Sequence, residues 1–150
     1  MIFNTLETLK PFRDSLKEPL IFTNGCFDIL HRGHISYLND AKKKGGFLLI
    51  GLNSDTSIKA LKGPTRPINT QEERAYLLDN LKAVDGIIVF EEDTPLKLIE
   101  SLKPEIYVKG GDYTKDRLPE TPLVESYGGQ VHLLPFIDGY STSSWLKALS

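Results

Sequence analysis

A single cysteine, Cys26, stands among 150 residues. The chain therefore closes no internal disulfide and holds no Cys-rich zinc site. It also lacks an excess of charge of either sign: the formal net charge is −2 and the isoelectric point is near 5.9. No overall positive field draws nucleic acid or an anionic membrane to it, so any bound phosphate must be met locally. No apolar run is long enough to span a bilayer, and the opening MIFNTLETLKPFRDSLKEPL carries acids where a secretory leader needs an apolar stretch. These absences set the expectation of a cytoplasmic protein with neither nucleic acid nor membrane as partner. Repeats, low-complexity tracts and Ser/Gly-rich linkers are missing too. No GxxxxGKS/T loop occurs anywhere, which removes the Walker mode of phosphate binding. With 40% hydrophobic residues, the length suits one core rather than two, and residues 1–150 read as a single domain.

Short apolar runs punctuate the chain. Leu20 to Thr23, Phe47 to Leu52, Gly86 to Phe90, Ile106 to Val108 and Val131 to Leu134 are mostly free of polar alternation, the mark of parallel strands covered on both faces. Helix signals fall between them. Thr70 and Glu73 form a capping box ahead of Ala75, Leu77, Leu78 and Leu81, and Asp93-Thr94-Pro95 sets a polar cap before a first-turn proline. Residues 1–18 read as a lead-in helix up to Pro11. The βαβα alternation predicts an α/β fold: a Rossmann-like, doubly wound, parallel five-stranded sheet with helices on both faces. Ligands bind such sheets beyond the carboxyl ends of the strands.

TNGCFDILHRGH, residues 23–34, begins at one such end. His31 and His34 stand around Gly33 where a strand hands over to a helix. Gly33 lets the backbone approach a ligand, a helix start offers free N–H groups to an anion, and imidazoles there can donate to phosphate as charge builds. The arrangement predicts a phosphate cradle. A zinc site would need a third ligand near the pair, and His132 lies far along the chain in an apparent strand. Cys26, flanked by Gly25 and Phe27, reads as a small buried residue rather than a nucleophile.

Three further stretches follow strands. Asn53-Ser54-Asp55 leads to Lys59, Lys62, Arg66 and Arg74 in and beyond a Gly/Pro loop, where cations can close over a triphosphate; Lys59 reads as solvated, and Lys42 to Lys44 as the wet end of a helix. Lys109-Gly110-Gly111-Asp112 pairs glycines with a lysine and an aspartate. Gly139 to Ser144 supplies hydroxyls that can cap a last helix and meet phosphate.

In this order the motifs resemble the HxGH nucleotidyltransferases of the cytidylyltransferase-like superfamily. More closely, TNGCFDILHRGH, GLNSDTSIKALKGPTRPIN, EERAYLLDNL, FEEDTPLKLIESLKPEIYVKGGDY and GYSTSS resemble the D-glycero-β-D-manno-heptose 1-phosphate adenylyltransferase family, from about residue 20 onward. The resemblance implies that ATP and a sugar 1-phosphate give an ADP-sugar and pyrophosphate, with Mg²⁺ accompanying ATP and no covalent enzyme intermediate. It implies triphosphate contacts at His31, His34 and Lys62. It implies nucleotide contacts at Thr23, Asn24, Gly25, Phe27, Asp28, Gly33, Arg66, Lys109, Gly110, Asp112, Ser141 and Thr142, and substrate contacts at Asn53, Asp55 and Arg74. It further implies a Gram-negative cytoplasm, a separate sugar kinase upstream in lipopolysaccharide core synthesis, and a homodimer as one expectation, although no segment announces an interface. The rival readings are a glycerol-3-phosphate cytidylyltransferase, whose arginine-rich close is absent ahead of GYSTSS, and a non-catalytic nucleotide sensor on the same fold.

Overall fold

The five apolar runs become strands because each is short and mostly free of polar alternation. The computed structural model describes residues 1–111 and 113–135. Its elements are β1 (Ile2–Phe3), α1 (Leu6–Ser15), β2 (Leu20–Gly25), α2 (Arg32–Lys42), β3 (Phe47–Asn53), α3 (Asp55–Lys62), α4 (Gln71–Asp79), β4 (Gly86–Phe90), α5 (Leu96–Leu102), β5 (Ile106–Gly110), α6 (Glu120–Ser126) and β6 (Gln130–Leu134). One sheet runs in the order β1-β4-β3-β2-β5-β6, and every pairing is parallel.

Successive side chains of a strand point to opposite faces, and two cores result. Phe47 and Leu49 of β3 join Phe22, Leu9 of α1, Ile99 of α5 and Val124 of α6 on one face. Leu48, Ile50 and Leu52 join Tyr37 and Leu38 of α2 and Leu78 of α4 on the other. Each such side chain contributes roughly 1.5–3 kcal/mol by leaving water. Between the layers there is little slack: a Cβ on Gly51 would lie 2.8 Å from Phe22 Cζ. Gly51→Ala is expected to destabilise the fold by about 1–3 kcal/mol through overpacking, read as a lower midpoint in chemical denaturation; an unchanged midpoint would show that the Phe22 ring moves aside freely.

Four local readings need correction. The sheet has a sixth strand, β1, whose Ile2 and Phe3 pair with Ile87 and Ile88 at the edge. α1 runs through Pro11 to Ser15. The proline gives up one backbone bond, and Phe12, packed against the core, and Arg13, which donates to Leu102 O and Lys103 O at 2.8 and 2.9 Å, hold the turn beyond it. α5 starts at Leu96 with Pro95 as N-cap and no side-chain cap, so Asp93 and Thr94 lie outside it. Lys42 is not merely solvated: its Nζ donates to Asp85 Oδ2 at 2.6 Å and Gly46 O at 2.8 Å. Thr70 does cap α4, its Oγ1 accepting from the Glu73 N–H.

Candidate active site

The crossover leaving β2 runs to β3 on one side and the crossover leaving β5 runs to β6 on the other, so the direction of winding reverses between β2 and β5. A crevice opens at the carboxyl ends of strands at such a switch point. Here a cavity of about 190 Å³ is lined by Asn24, Gly25, Cys26 and Phe27 after β2, His34 and Tyr37 of α2, and Lys109, Gly110 and Tyr113 after β5. A larger cavity, about 370 Å³, lies over the end of β4 between Leu6, Phe90, Glu91 and Lys97, and none of the residues singled out above lines it.

The histidine pair is built by the start of α2. His31 is the N-cap, its backbone extended, and its Nδ1 accepts from the His34 N–H at 3.4 Å. A nitrogen that accepts carries no proton, so the His31 proton is on Nε2. One helical turn brings the two rings into a stack, centroids 3.8 Å apart and planes 19° apart, with the Phe27 ring 5.2 Å from His34. His34 Nδ1 is buried and has no hydrogen-bond partner among the described residues. Burial lowers His31 below the ordinary imidazole range, and burial followed by the charge of His31 pushes His34 down to about 4. Both are neutral near pH 7, able to donate from one ring nitrogen each. Phe27, a bulky residue held at φ +47°, shapes this corner, and Gly25 makes room for it, since a Cβ there would lie 3.0 Å from Phe27 Cε2.

The burial of His34 has a consequence for pH. A histidine at about 4 when folded and near 6.5 when unfolded binds more protons unfolded. Its contribution is therefore fully present above pH 6.5 and is lost as pH falls towards 4. The loss is about 3 kcal/mol at most, less where water reaches the ring. His34→Gln is expected to flatten stability over that window in denaturation curves, and the same acid slope in the variant would contradict this.

Asp28 and Arg74 frame the site from below. Burial alone would raise the Asp28 carboxyl. Hydrogen bonds from Asn69 N–H and Ile68 N–H at 2.9 Å, with Arg66 Nε also at 2.9 Å, outweigh it and hold the group below its usual range. Asp28 thus clamps the segment carrying Arg66 rather than facing the crevice. Arg74, 1% exposed, donates to Asn69 O at 3.0 Å, Cys26 O at 2.9 Å, Asn53 O at 2.7 Å and Asp55 Oδ1 at 2.8 Å. With those donors engaged and its side chain sealed from solvent, it ties the ends of β2 and β3 to α4. Asn53 is buried and donates to Ser57 Oγ at 3.3 Å.

Other expected positions divide. Thr23 is wholly buried, its hydroxyl hydrogen-bonded with that of Tyr37, which in turn donates to Val108 O at 3.1 Å. It holds β2 to α2 from behind the cavity. Gly33 is buried in the first turn of α2. Lys62 ends α3, exposed, in a segment read from sequence as loop. Its charge, with those of Arg74 and Arg66, reaches Cys26, yet burial is the larger influence and keeps that group a thiol. Lys109 sits 5.6 Å over the Tyr113 ring. Asp112, Ser141 and Thr142 lie outside the described residues. Sequence reasoning missed Tyr37 and Tyr107. Tyr37 stands three residues after His34 on the same helical face, which was a usable signal; Tyr107 reads as one more apolar strand position. Among the described residues no group of three or more His, Cys, Asp or Glu side chains could hold a metal ion, and no helix is long and apolar enough to cross a membrane.

Residues 22–137 match the family model described as cytidylyltransferase-like, a span that contains the crevice, the histidine pair and the Asp28 clamp. The chain belongs to the cytidylyltransferase-like family of nucleotidyltransferases. It is 52% identical over 130 residues to the bifunctional protein HldE of Syntrophotalea carbinolica, covering 87% of this chain and 26% of that protein. It is 49% identical over 148 residues to HldE of Hahella chejuensis, covering 97% and 31%. The chain thus spans between a quarter and a third of the length of these relatives. Among solved structures it resembles the lipopolysaccharide core biosynthesis protein of Thermoplasma volcanium, with a TM-score of 0.65 and 29% identity over 83% of this chain and 99% of that one. Pantoate-beta-alanine ligase of Francisella tularensis matches with a TM-score of 0.65 at 17% identity, over 100% of this chain and 73% of that one, a likeness of fold alone.

Proposed function

We propose that this domain transfers the adenylyl group of ATP to D-glycero-β-D-manno-heptose 1-phosphate, releasing pyrophosphate and forming ADP-heptose. The observation that carries the reading is the stacked, neutral histidine pair at the start of α2, whose His34 lines the crevice at the switch point. A phosphate oxygen of the sugar attacks the α-phosphorus, the bond from that phosphorus to the bridging oxygen breaks, and pyrophosphate leaves with the electron pair. Imidazole N–H groups, the amides opening α2 and the Lys62 ammonium bear the charge that grows on the leaving group. Placement of two phosphates in line accounts for the rest, and the protein forms no covalent bond.

Mg²⁺ would accompany the triphosphate and offset part of its charge. Asp28 is engaged by Arg66 and two backbone amides, and Asp55 by Arg74. The described residues therefore fit an ion held on phosphate oxygens better than one in a protein cage. Phe27 and the backbone of Gly25 and Gly110 flank the nucleotide, while Asp112, Ser141 and Thr142 keep the contacts assigned by resemblance. The reading sets the reaction in a bacterial cytoplasm, after a kinase that supplies the sugar phosphate and before assembly of the lipopolysaccharide core, with a homodimer as the working assembly.

The test is pyrophosphate release with Mg²⁺, crossing ATP and CTP against heptose 1-phosphate and glycerol 3-phosphate. Release with ATP and the heptose phosphate alone supports the reading. Release with CTP and glycerol 3-phosphate replaces it by the cytidylyltransferase, and nucleotide binding without release in any pairing replaces it by a sensor.

A further inference from the structure

Asn24 lies on β2 beside Gly51 of β3, and its side chain lines the crevice. Its Oδ1 accepts a hydrogen bond of 2.6 Å from the hydroxyl of Tyr107 on β5, across the switch point. Tyr107 is wholly buried, its ring 6.0 Å from that of Phe22. A carboxamide has an acceptor end and a donor end, and whatever holds one end decides which faces a ligand. Here the phenol decides. Burial, then the charge of Glu120, pushes the Tyr107 hydroxyl above its ordinary range, so it stays a donor. Glu120 takes no hydrogen bond at its buried Oε2 among the described residues. The phenol hydrogen is satisfied by Asn24 Oδ1, which leaves Nδ2 with no partner among the described residues. The same cavity holds His34 and Lys109. Two more N–H donors in that setting match an anionic oxygen and mismatch an apolar or cationic group.

We infer that Tyr107 is a positioning residue: it orients the Asn24 carboxamide so that its NH₂ faces the crevice and donates to a phosphate oxygen of the nucleotide or of the acceptor. The inference rests on the nucleotidyl-transfer reading above. Asn24→Asp keeps an acceptor for the phenol but replaces both donors by a charge, and is expected to lower kcat/KM at least about a hundredfold with the thermal midpoint near that of the wild type. Tyr107→Phe keeps the buried ring and releases the amide, with an expected loss of about three- to tenfold.

The deciding experiment is a double-mutant cycle, followed by ATP calorimetry and by the KM of each substrate. Tyr107→Phe should cost nothing further in an Asn24→Ala background, and the substrate whose constant rises identifies whose phosphate the amide meets. Additive losses, which a purely structural tyrosine would give, overturn the inference, as does wild-type kcat/KM in Asn24→Asp. If the wild type turns over CTP and glycerol 3-phosphate instead, the proposed function fails and the cycle is run on that pair. A wild type that neither binds ATP nor releases pyrophosphate overturns both.

Discussion

His34→Ala is expected to leave the protein folded and to lower kcat at least about a hundredfold, the scale for removing one donor aimed at developing charge. The position separates chemistry from folding better than His31. The N-cap bond of α2 comes from the backbone N–H of His34 to the His31 ring, so it survives truncation of the His34 side chain. His31→Ala removes that cap as well, at a cost of about 0.5–2 kcal/mol in stability, and mixes two effects. The ring lost in His34→Ala stacks on His31 and leans on Phe27 but makes no hydrogen bond through Nδ1 among the described residues. Steady-state kinetics beside circular dichroism decide the matter: a folded variant with near-normal turnover removes His34 from the reaction.

Arg74→Met is expected to cost about 3–5 kcal/mol in stability, the penalty for breaking a buried charge network from one side. Methionine fills part of the volume but donates nothing. The carbonyls of Cys26, Asn53 and Asn69 and the Asp55 carboxylate would each lose a donor. Three of these partners sit at the ends of β2 and β3 or in the segment held by Asp28, so surviving folded protein should also bind nucleotide less well. Urea denaturation measures the first effect and calorimetry with ATP the second. A midpoint within error of the wild type would show that water replaces the guanidinium.

Five strands were legible because they are continuous apolar runs, and the histidine pair because its spacing marks a helix start. β1 was not, since two residues carry no period and depend on β4, far along the chain, to become a strand. α3 hid behind the Gly/Pro loop that follows it, although Ser54 caps it by accepting from the Ser57 N–H. The pairings of Asp28 and Arg74 were hidden for a different reason. Charged residues beside a phosphate motif read as ligand contacts, and only three-dimensional pairing distinguishes an ion that meets substrate from one that meets backbone. Tyr107 has no polar signature in the sequence because its hydroxyl matters only once β5 lies beside β2.

That neighbour relation also sets an order of assembly. β2 meets β3 after one short crossover, whereas β5 emerges from a ribosome only after β3, α3, α4, β4 and α5 have been made. Pairings between distant segments form slowly, since chain entropy is lost before contacts repay it. The seam between β2 and β5, where the crevice lies, is therefore among the last parts of the sheet to close during synthesis. A nucleotide that binds across it would act late in folding as a clasp.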